Sequence, residues 1–280
     1  MNTFTVKKVL NNNVLIALDQ GQSEVVLIGN GIGFHHKKKE NIDEKAIEKL
    51  FVLRNAKEQE NYKKLLPNID EPLLQSIIEA IGIIRNRSQE MLNEAIHVAL
   101  TDHILFAVNR LKNGLEIRNP FLAETKVLYP FEYEIAAEMV DYINHHLAIN
   151  LPEGEVGFIA LHVHSAITDK KLSDINKYSQ LVTQFIDIIE SQLSIRVNRE
   201  GIEYIRLVRH IRYTIERVLK GERIEEPEKI ASLLKREYPT CYNLAWKLVK
   251  IMQQTMKKPV YEAEAVYLTM HLQRLNQKYE

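Results

Sequence analysis

The sequence predicts a mainly α protein with a small N-terminal antiparallel β domain, followed by two duplicated α-helical bundles. Three observations carry this reading. Residues 1–54 alternate short β-rich runs with turn clusters. From about residue 56 the apolar residues recur at helical spacing. The helical part also repeats itself. Tyr129, Pro130, Tyr133, Ala136 and Val140 reappear at one constant offset as Tyr238, Pro239, Tyr242, Ala245 and Val249. At the same offset Glu155, Phe158 and His162 reappear as Glu264, Tyr267 and His271. Upstream, His103, Phe106 and Arg110 reappear at a slightly shorter offset as His210, Tyr213 and Arg217. A core does not need two histidines per repeat, so a duplicated imidazole pair is the first functional candidate.

In chain order, Phe4 to Leu10 reads as a strand, Asn11-Asn12-Asn13 as a turn and Val14 to Leu18 as a second strand. Asp19 to Gln22 forms the next turn and Glu24 to Ile28 a third strand. Gly29, Gly31 and Gly33 then alternate through a loop ending in Phe34, and Leu50 to Leu53 reads as a fourth strand. Turns this short pair strands antiparallel. So small a β module makes a thin core, which predicts stabilisation by dimerising. A helix over 55–65 joins it to a first bundle at 66–170, and a second bundle occupies 173–280. Ile77, Ile78, Ile81 and Ile84, and Ile135, Met139, Ile143 and Leu147, mark buried helical faces. Pro67, Pro72, Pro120, Pro130, Pro152, Pro227, Pro239 and Pro259 punctuate about five helices per repeat. Asn93 and Glu94 fit a helix start before His103.

Composition narrows the function classes. At 280 residues, 45% hydrophobic and 26% charged, the chain has globular composition. A formal net charge of zero confines any nucleic-acid surface to a local patch. One cysteine, Cys241, fits a reducing compartment. No apolar run reaches the roughly 18 residues that a membrane span requires, and the N-terminus shows no apolar signal region. The expected setting is cytoplasmic, without stable membrane insertion.

The patch lies in the first 39 residues, where Lys7, Lys8, Lys37, Lys38 and Lys39 face only Asp19 and Glu24. Asparagine amides at a turn can read base edges, glycines allow close backbone approach, and a loop-end aromatic can stack on an unpaired base. Each feature alone also fits an ordinary turn or a solvated loop. The glycine pattern is not a dinucleotide fingerprint, because no helix pattern opens directly after it. Together the runs VKKVLNNNVLIA, VVLIGNGIGF and KLFVL resemble the N-terminal RNA-binding domain of the BglG/SacY/LicT family of transcriptional antiterminators. The resemblance implies a dimeric β module that clamps a leader mRNA hairpin and so blocks an overlapping terminator. It places the RNA contacts on Lys8, Asn11, Asn13, Gly29 and Phe34, with Asn30 where the family often carries a basic residue.

His103, His162, His210 and His271 are the duplicated histidines. Neutral imidazole is nucleophilic near pH 7 and accepts phosphoryl groups from phosphohistidine or phosphocysteine. The competing readings are structural histidines, or a metal site built from His103, His162 and His164 in a helical His-metal enzyme. His97, His145 and His146 have no counterpart and read as structural or surface residues. Asp102 beside His103, against Arg209, Arg212 and Arg274 around His210 and His271, predicts repulsion after phosphorylation in the first repeat and tolerance in the second. LTDHI, LPEGEVGFIALH and EAEAVYLTMHL resemble the PTS regulation domains of the same family, and NPFLAETKVLYP, GFIALHVHSAIT, LVRHIRYTIER and EYPTCYNLAWKLVKIMQQTMKKPVYEAEAVYL are most similar to its glucose-responsive, GlcT-type branch. That resemblance implies phosphorylation by HPr and by a sugar-specific, glucose-type phosphotransferase permease, in a homodimer with no cofactor, no metal and no enzymatic turnover. A DNA-binding activator carrying the same repeats would need a helix-turn-helix where residues 1–54 read as strands.

Overall fold

In the computed structural model, residues 3–43, 51–115, 118–225 and 228–279 are described. Leu50 and Pro227 fall outside them. Five strands, β1 (Thr3–Asn11), β2 (Val14–Leu18), β3 (Glu24–Ile28), β4 (Asn41–Asp43) and β5 (Phe51–Leu53), form one sheet in the order β4-β1-β2-β3-β5. All its pairings are antiparallel. The short polar strand β4 carries no apolar run, and sequence reading missed it. Register shifts interrupt β1 between Val6 and Lys8 and between Val9 and Asn11.

The β2 and β3 runs are apolar on both sides because both sheet faces are covered. Val14, Val26, Ile28, Phe51 and Leu53 join the core of the first helical bundle, while Phe4, Val6, Leu15, Ala17, Val25, Leu27, Ile32 and Ile42 form a separate cluster on the other face. One face of the thin β module thus shares its core with the first helical bundle. A single helical turn, α1 (Ile32–His35), closes the glycine loop. This departs from the expected helix-free loop. Gly31, at φ 67°, takes the left-handed conformation that precedes the turn, and four residues are too few to register as a periodic pattern.

Helix α2 (Ala56–Leu65) starts at Asn55, whose side chain accepts from Lys57 N and Glu58 N. A 3₁₀ turn (Leu66–Asn68) leads to α3 (Glu71–Ser88), capped by Asp70. Next come α4 (Ala95–Lys112), α5 (Leu122–Leu128), α6 (Pro130–Leu147) and α7 (Glu153–Thr168). The second repeat supplies α8 (Leu172–Leu193), α9 (Ile202–Lys220), α10 (Glu228–Glu237), α11 (Pro239–Met256) and α12 (Ala263–Tyr279). Ile77, Ile78, Ile81, Ile84, Ile135, Met139 and Ile143 are buried, as their spacing predicts, while Leu147, at the end of α6, is only partly buried.

Contacts divide the chain into two compact units, residues 1–119 with 131–172, and residues 120–130 with 173–280. Helix α5 thus groups with the second unit although it lies inside the 66–170 span. There it packs on α9, and its buried Glu124 accepts from the Tyr204 hydroxyl at 3.0 Å.

Candidate functional site

The first candidate site is the turn and loop at one end of the sheet. Asn13 N donates to Asn11 Oδ1 at 2.9 Å, and Asn13 Oδ1 accepts from Gly31 N at 2.7 Å. Gly29 N bonds Asn13 O at 2.9 Å and Gly33 N bonds Asn12 O at 2.8 Å. The asparagine turn and the glycine loop therefore form one rigid block. Asn13 and Gly29 are buried inside it. Lys8, Asn30 and Phe34 are exposed and Asn11 is half-buried, so the six predicted RNA contacts divide between frame and surface. Phe34 stands 75% exposed, an unusual state for a phenylalanine, with the His35 ring against it edge-on at 5.4 Å between centroids.

Two of these asparagines also touch the first helical bundle. The Asn13 amide donates to Glu71 at 3.3 Å and the Asn30 amide to Glu79 at 3.1 Å, both acceptors lying on α3. A cleft of about 510 Å³ between β1 and α2–α3 has Lys8 and Asn11 on one wall and Lys63 and Glu71 on the other.

The second candidate site occurs twice, once in each unit. Helices α4 and α7 pack together and bring the His103 and His162 rings to 5.0 Å; α9 and α12 bring His210 and His271 to 4.7 Å. Each helix contributes two side chains two turns apart on one face: His103 with Arg110, Glu155 with His162, and their counterparts His210 with Arg217, Glu264 with His271. Glu155 and Glu264 lie in the first turns of α7 and α12, where a carboxylate suits the helix dipole.

In the first repeat His103 Nε2 meets Glu155 Oε2 at 3.0 Å and Arg110 Nη2 meets Glu155 Oε1 at 2.5 Å. Burial pushes the Glu155 carboxyl up, but His103 and Arg110 outweigh it and hold it below the usual carboxylate range. In the second repeat Arg217 grips Glu264 with two bonds of 2.9 Å and the Thr214 hydroxyl adds a third of 2.7 Å. His210 Nε2 stays 3.7 Å from Glu264. Burial, with His103 adding to it, holds His162 down to about 3; burial and the neighbouring His271 hold His210 down to about 4. Burial also lowers His271, assisted by Arg274. Near neutral pH these three rings are neutral, the state in which imidazole is a nucleophile.

Sequence reading singled out the four histidines and left Glu155, Arg110, Glu264 and Arg217 as mere repeat markers. Their matched two-turn spacing is the signal that could have placed each on the same helix face as its histidine. The expected contrast in charge changes accordingly. Arg110 lies beside the first pair, against Glu155, while Asp102 is exposed. Arg212 turns to the Leu128 carbonyl and to Glu216. His164, offered as a metal ligand, instead meets Glu132 at 2.7 Å. Among the described residues no group of three or more His, Cys, Asp or Glu is arranged to hold a metal ion. His97 is buried against Phe51 at 4.3 Å between ring centroids, in keeping with its structural reading. No described helix is long and apolar enough to cross a membrane.

Comparison with known proteins agrees with this layout. Residues 4–60 match the CAT RNA binding domain, and residues 75–166 and 183–275 each match the PRD domain. The chain is 56% identical over 276 residues to the PtsGHI operon antiterminator of Bacillus subtilis (strain 168), covering 99% of this chain and 98% of that protein. It is 43% identical over 282 residues to the GlcA/glcB genes antiterminator of Staphylococcus carnosus (strain TM300), covering 100% and 98%. The crystal structure of GlcT CAT-PRDI aligns with 59% of this chain and 99% of its own, at 55% identity and a TM-score of 0.57. A β module of the CAT type followed by two PRD repeats, with full-length similarity to named antiterminators, settles the family: the chain belongs to the transcriptional antiterminators built from a CAT RNA-binding domain and two PRD domains.

Proposed function

We propose that this protein is a cytoplasmic antiterminator that binds a leader mRNA hairpin as a homodimer and keeps a terminator from forming in a glucose-type phosphotransferase operon. In this reading residues 1–54 bind the RNA through Lys8, Asn11, Asn13, Gly29, Asn30 and Phe34. Residues 55–65 link that module to regulatory domains at 66–170 and 173–280. His103, His162, His210 and His271 receive phosphoryl groups, from the sugar permease on the first repeat and from HPr on the second. The protein is a phosphoryl acceptor and not a turnover enzyme.

The observation that carries the reading is the duplicated pair of close imidazoles, each beside a carboxylate–arginine pair. One structural histidine in a core is ordinary; the same four-residue arrangement in both repeats points to a shared chemical task. A phosphoryl group adds about −1.5 to −2 charges. Placed beside buried Glu155, that charge disfavours the unmodified packing of α4 on α7. The names of the similar antiterminators support a phosphotransferase operon as the target, and glucose as the sugar.

Band-shift measurements test this. The full chain is mixed with candidate leader RNA before and after treatment with phosphorylated HPr or phosphorylated permease. Specific binding that permease treatment weakens is the expected result. No affinity for any leader hairpin, or an affinity indifferent to phosphorylation, overturns the reading. His103→Asp, a crude mimic of the added charge, is expected to lower reporter readthrough.

A further inference from the structure

We infer that Glu155 is a positioning residue that fixes which ring nitrogen of His103 accepts the phosphoryl group, Nδ1, and that burial of Nε2 leaves the same atom, Nδ1, to react at His210. The inference rests on the phosphoacceptor role proposed above and specifies its chemistry.

A neutral imidazole carries one proton. His103 Nε2 lies 3.0 Å from a carboxylate oxygen, and a carboxylate only accepts, so the proton sits on Nε2. The free lone pair is then on Nδ1. Glu155 is itself held by Arg110 and buried within the α4–α7 packing, so the ring cannot turn over without leaving a buried charge underpaired. In the second repeat the same edge of the ring faces the same carboxylate. His210 Nε2 is buried without a hydrogen-bond partner among the described residues, because Arg217 and Thr214 have taken the Glu264 oxygens. A nitrogen shut inside the packing is out of reach of a donor protein, which again leaves Nδ1. The logic inverts at His271, whose Nδ1 is the buried, unpartnered atom and whose Nε2 is left to react.

The step balances with no further reactant. The Nδ1 lone pair attacks the phosphorus of a phosphohistidine or phosphocysteine donor. The donor's N–P or S–P bond breaks and its electron pair returns to the donor atom. The His103 ring then bears the phosphoryl group on Nδ1 and its original proton on Nε2, a cationic ring whose charge faces Glu155. Glu155 thus orients the nucleophile and stabilises the product ring, as an orienting acid does for a base in other sites.

The test is isomer analysis of the full-length chain phosphorylated by phosphorylated HPr and, separately, by phosphorylated permease. Phosphorus–nitrogen NMR identifies the isomer, and single His→Ala variants assign each signal. The expected result is Nδ1-phosphohistidine at His103 and His210 and Nε2-phosphohistidine at His271. Nε2-phosphohistidine at His103 overturns the inference. Phosphohistidine at none of the four overturns the underlying function and this inference with it. Glu155→Gln keeps an acceptor for Nε2–H and is expected to retain one isomer, whereas Glu155→Ala is expected to lose that purity and give both. A single Nδ1 isomer in folded Glu155→Ala removes the positioning role. Should Glu155→Ala fail to fold, the unsubstituted chain and Glu155→Gln still decide the geometry.

Discussion

Gly33 and Phe34 are neighbours with separate tasks. A Cβ on Gly33 would stand 1.9 Å from the Asn11 carbonyl oxygen, so only glycine lets the loop lie against the asparagine turn. Phe34 is largely exposed, with an edge contact to the His35 ring. Gly33→Ala is therefore expected to cost about 1–3 kcal/mol of stability and to lose hairpin binding with it. Phe34→Ala should leave the melting temperature unchanged and weaken RNA binding by about 1–3 kcal/mol, the worth of one stacked base. Thermal melts and band shifts on both variants separate frame from contact; equal RNA affinity in Phe34→Ala would remove the stacking role. His97 belongs to the same scale. Burial holds it down to about 3, from 6.5 for an exposed histidine. Above pH 6.5 both folded and unfolded forms are neutral and no cost arises. As pH falls from 6.5 toward 3 only the unfolded chain takes up the proton, so stability declines through that window. His97→Phe, which keeps the ring against Phe51, should flatten the decline in melting temperature over this range.

Helices α3, α4 and α7 link the two proposed tasks within one unit. Glu94, at the start of α4, accepts from the backbone of Arg54 and Asn55 at 2.6 and 3.0 Å, tying the end of β5 to the helix that carries His103. On α3, Glu71 and Glu79 accept from the amides of Asn13 and Asn30, and they place negative charge beside two of the proposed RNA contacts. Glu71→Gln combined with Glu79→Gln keeps acceptors but removes the charge. Hairpin affinity is expected to rise several-fold, about 0.2–1 kcal/mol per charge, with the gain shrinking as salt increases. A gain that survives at high salt would point to a released contact rather than charge. Sequence reading located α3 by its isoleucine stripe, but the acidic edge of that helix acquired meaning only once the sheet was seen packed against it.

At the scale of the whole molecule, zero net charge hides a basic N-terminal module in a balanced protein. Binding to RNA is expected to weaken as salt rises, since phosphate neutralisation releases counterions. Lys8→Ala should lower affinity for all hairpins alike and reduce the slope of log K against log salt by about one per lost phosphate contact. An unchanged slope, measured by titration at several salt concentrations, would place Lys8 outside the interface.

What the sequence determined by itself was periodic or duplicated. Strand runs, isoleucine and methionine stripes, and the recurrence of His103 and His162 as His210 and His271 follow from local chemistry and spacing, so the β module and the two helical repeats were legible without coordinates. Tertiary structure decided what depends on packing between distant segments. The three residues of β4 hydrogen-bond only because β1 offers an edge. Helix α5 leaves its own span because Glu124 finds Tyr204 on α9. Glu155 becomes more than a helix-start carboxylate because α4 brings His103 and Arg110 to it, and a hydrogen bond across two helices leaves no trace in the spacing of either one.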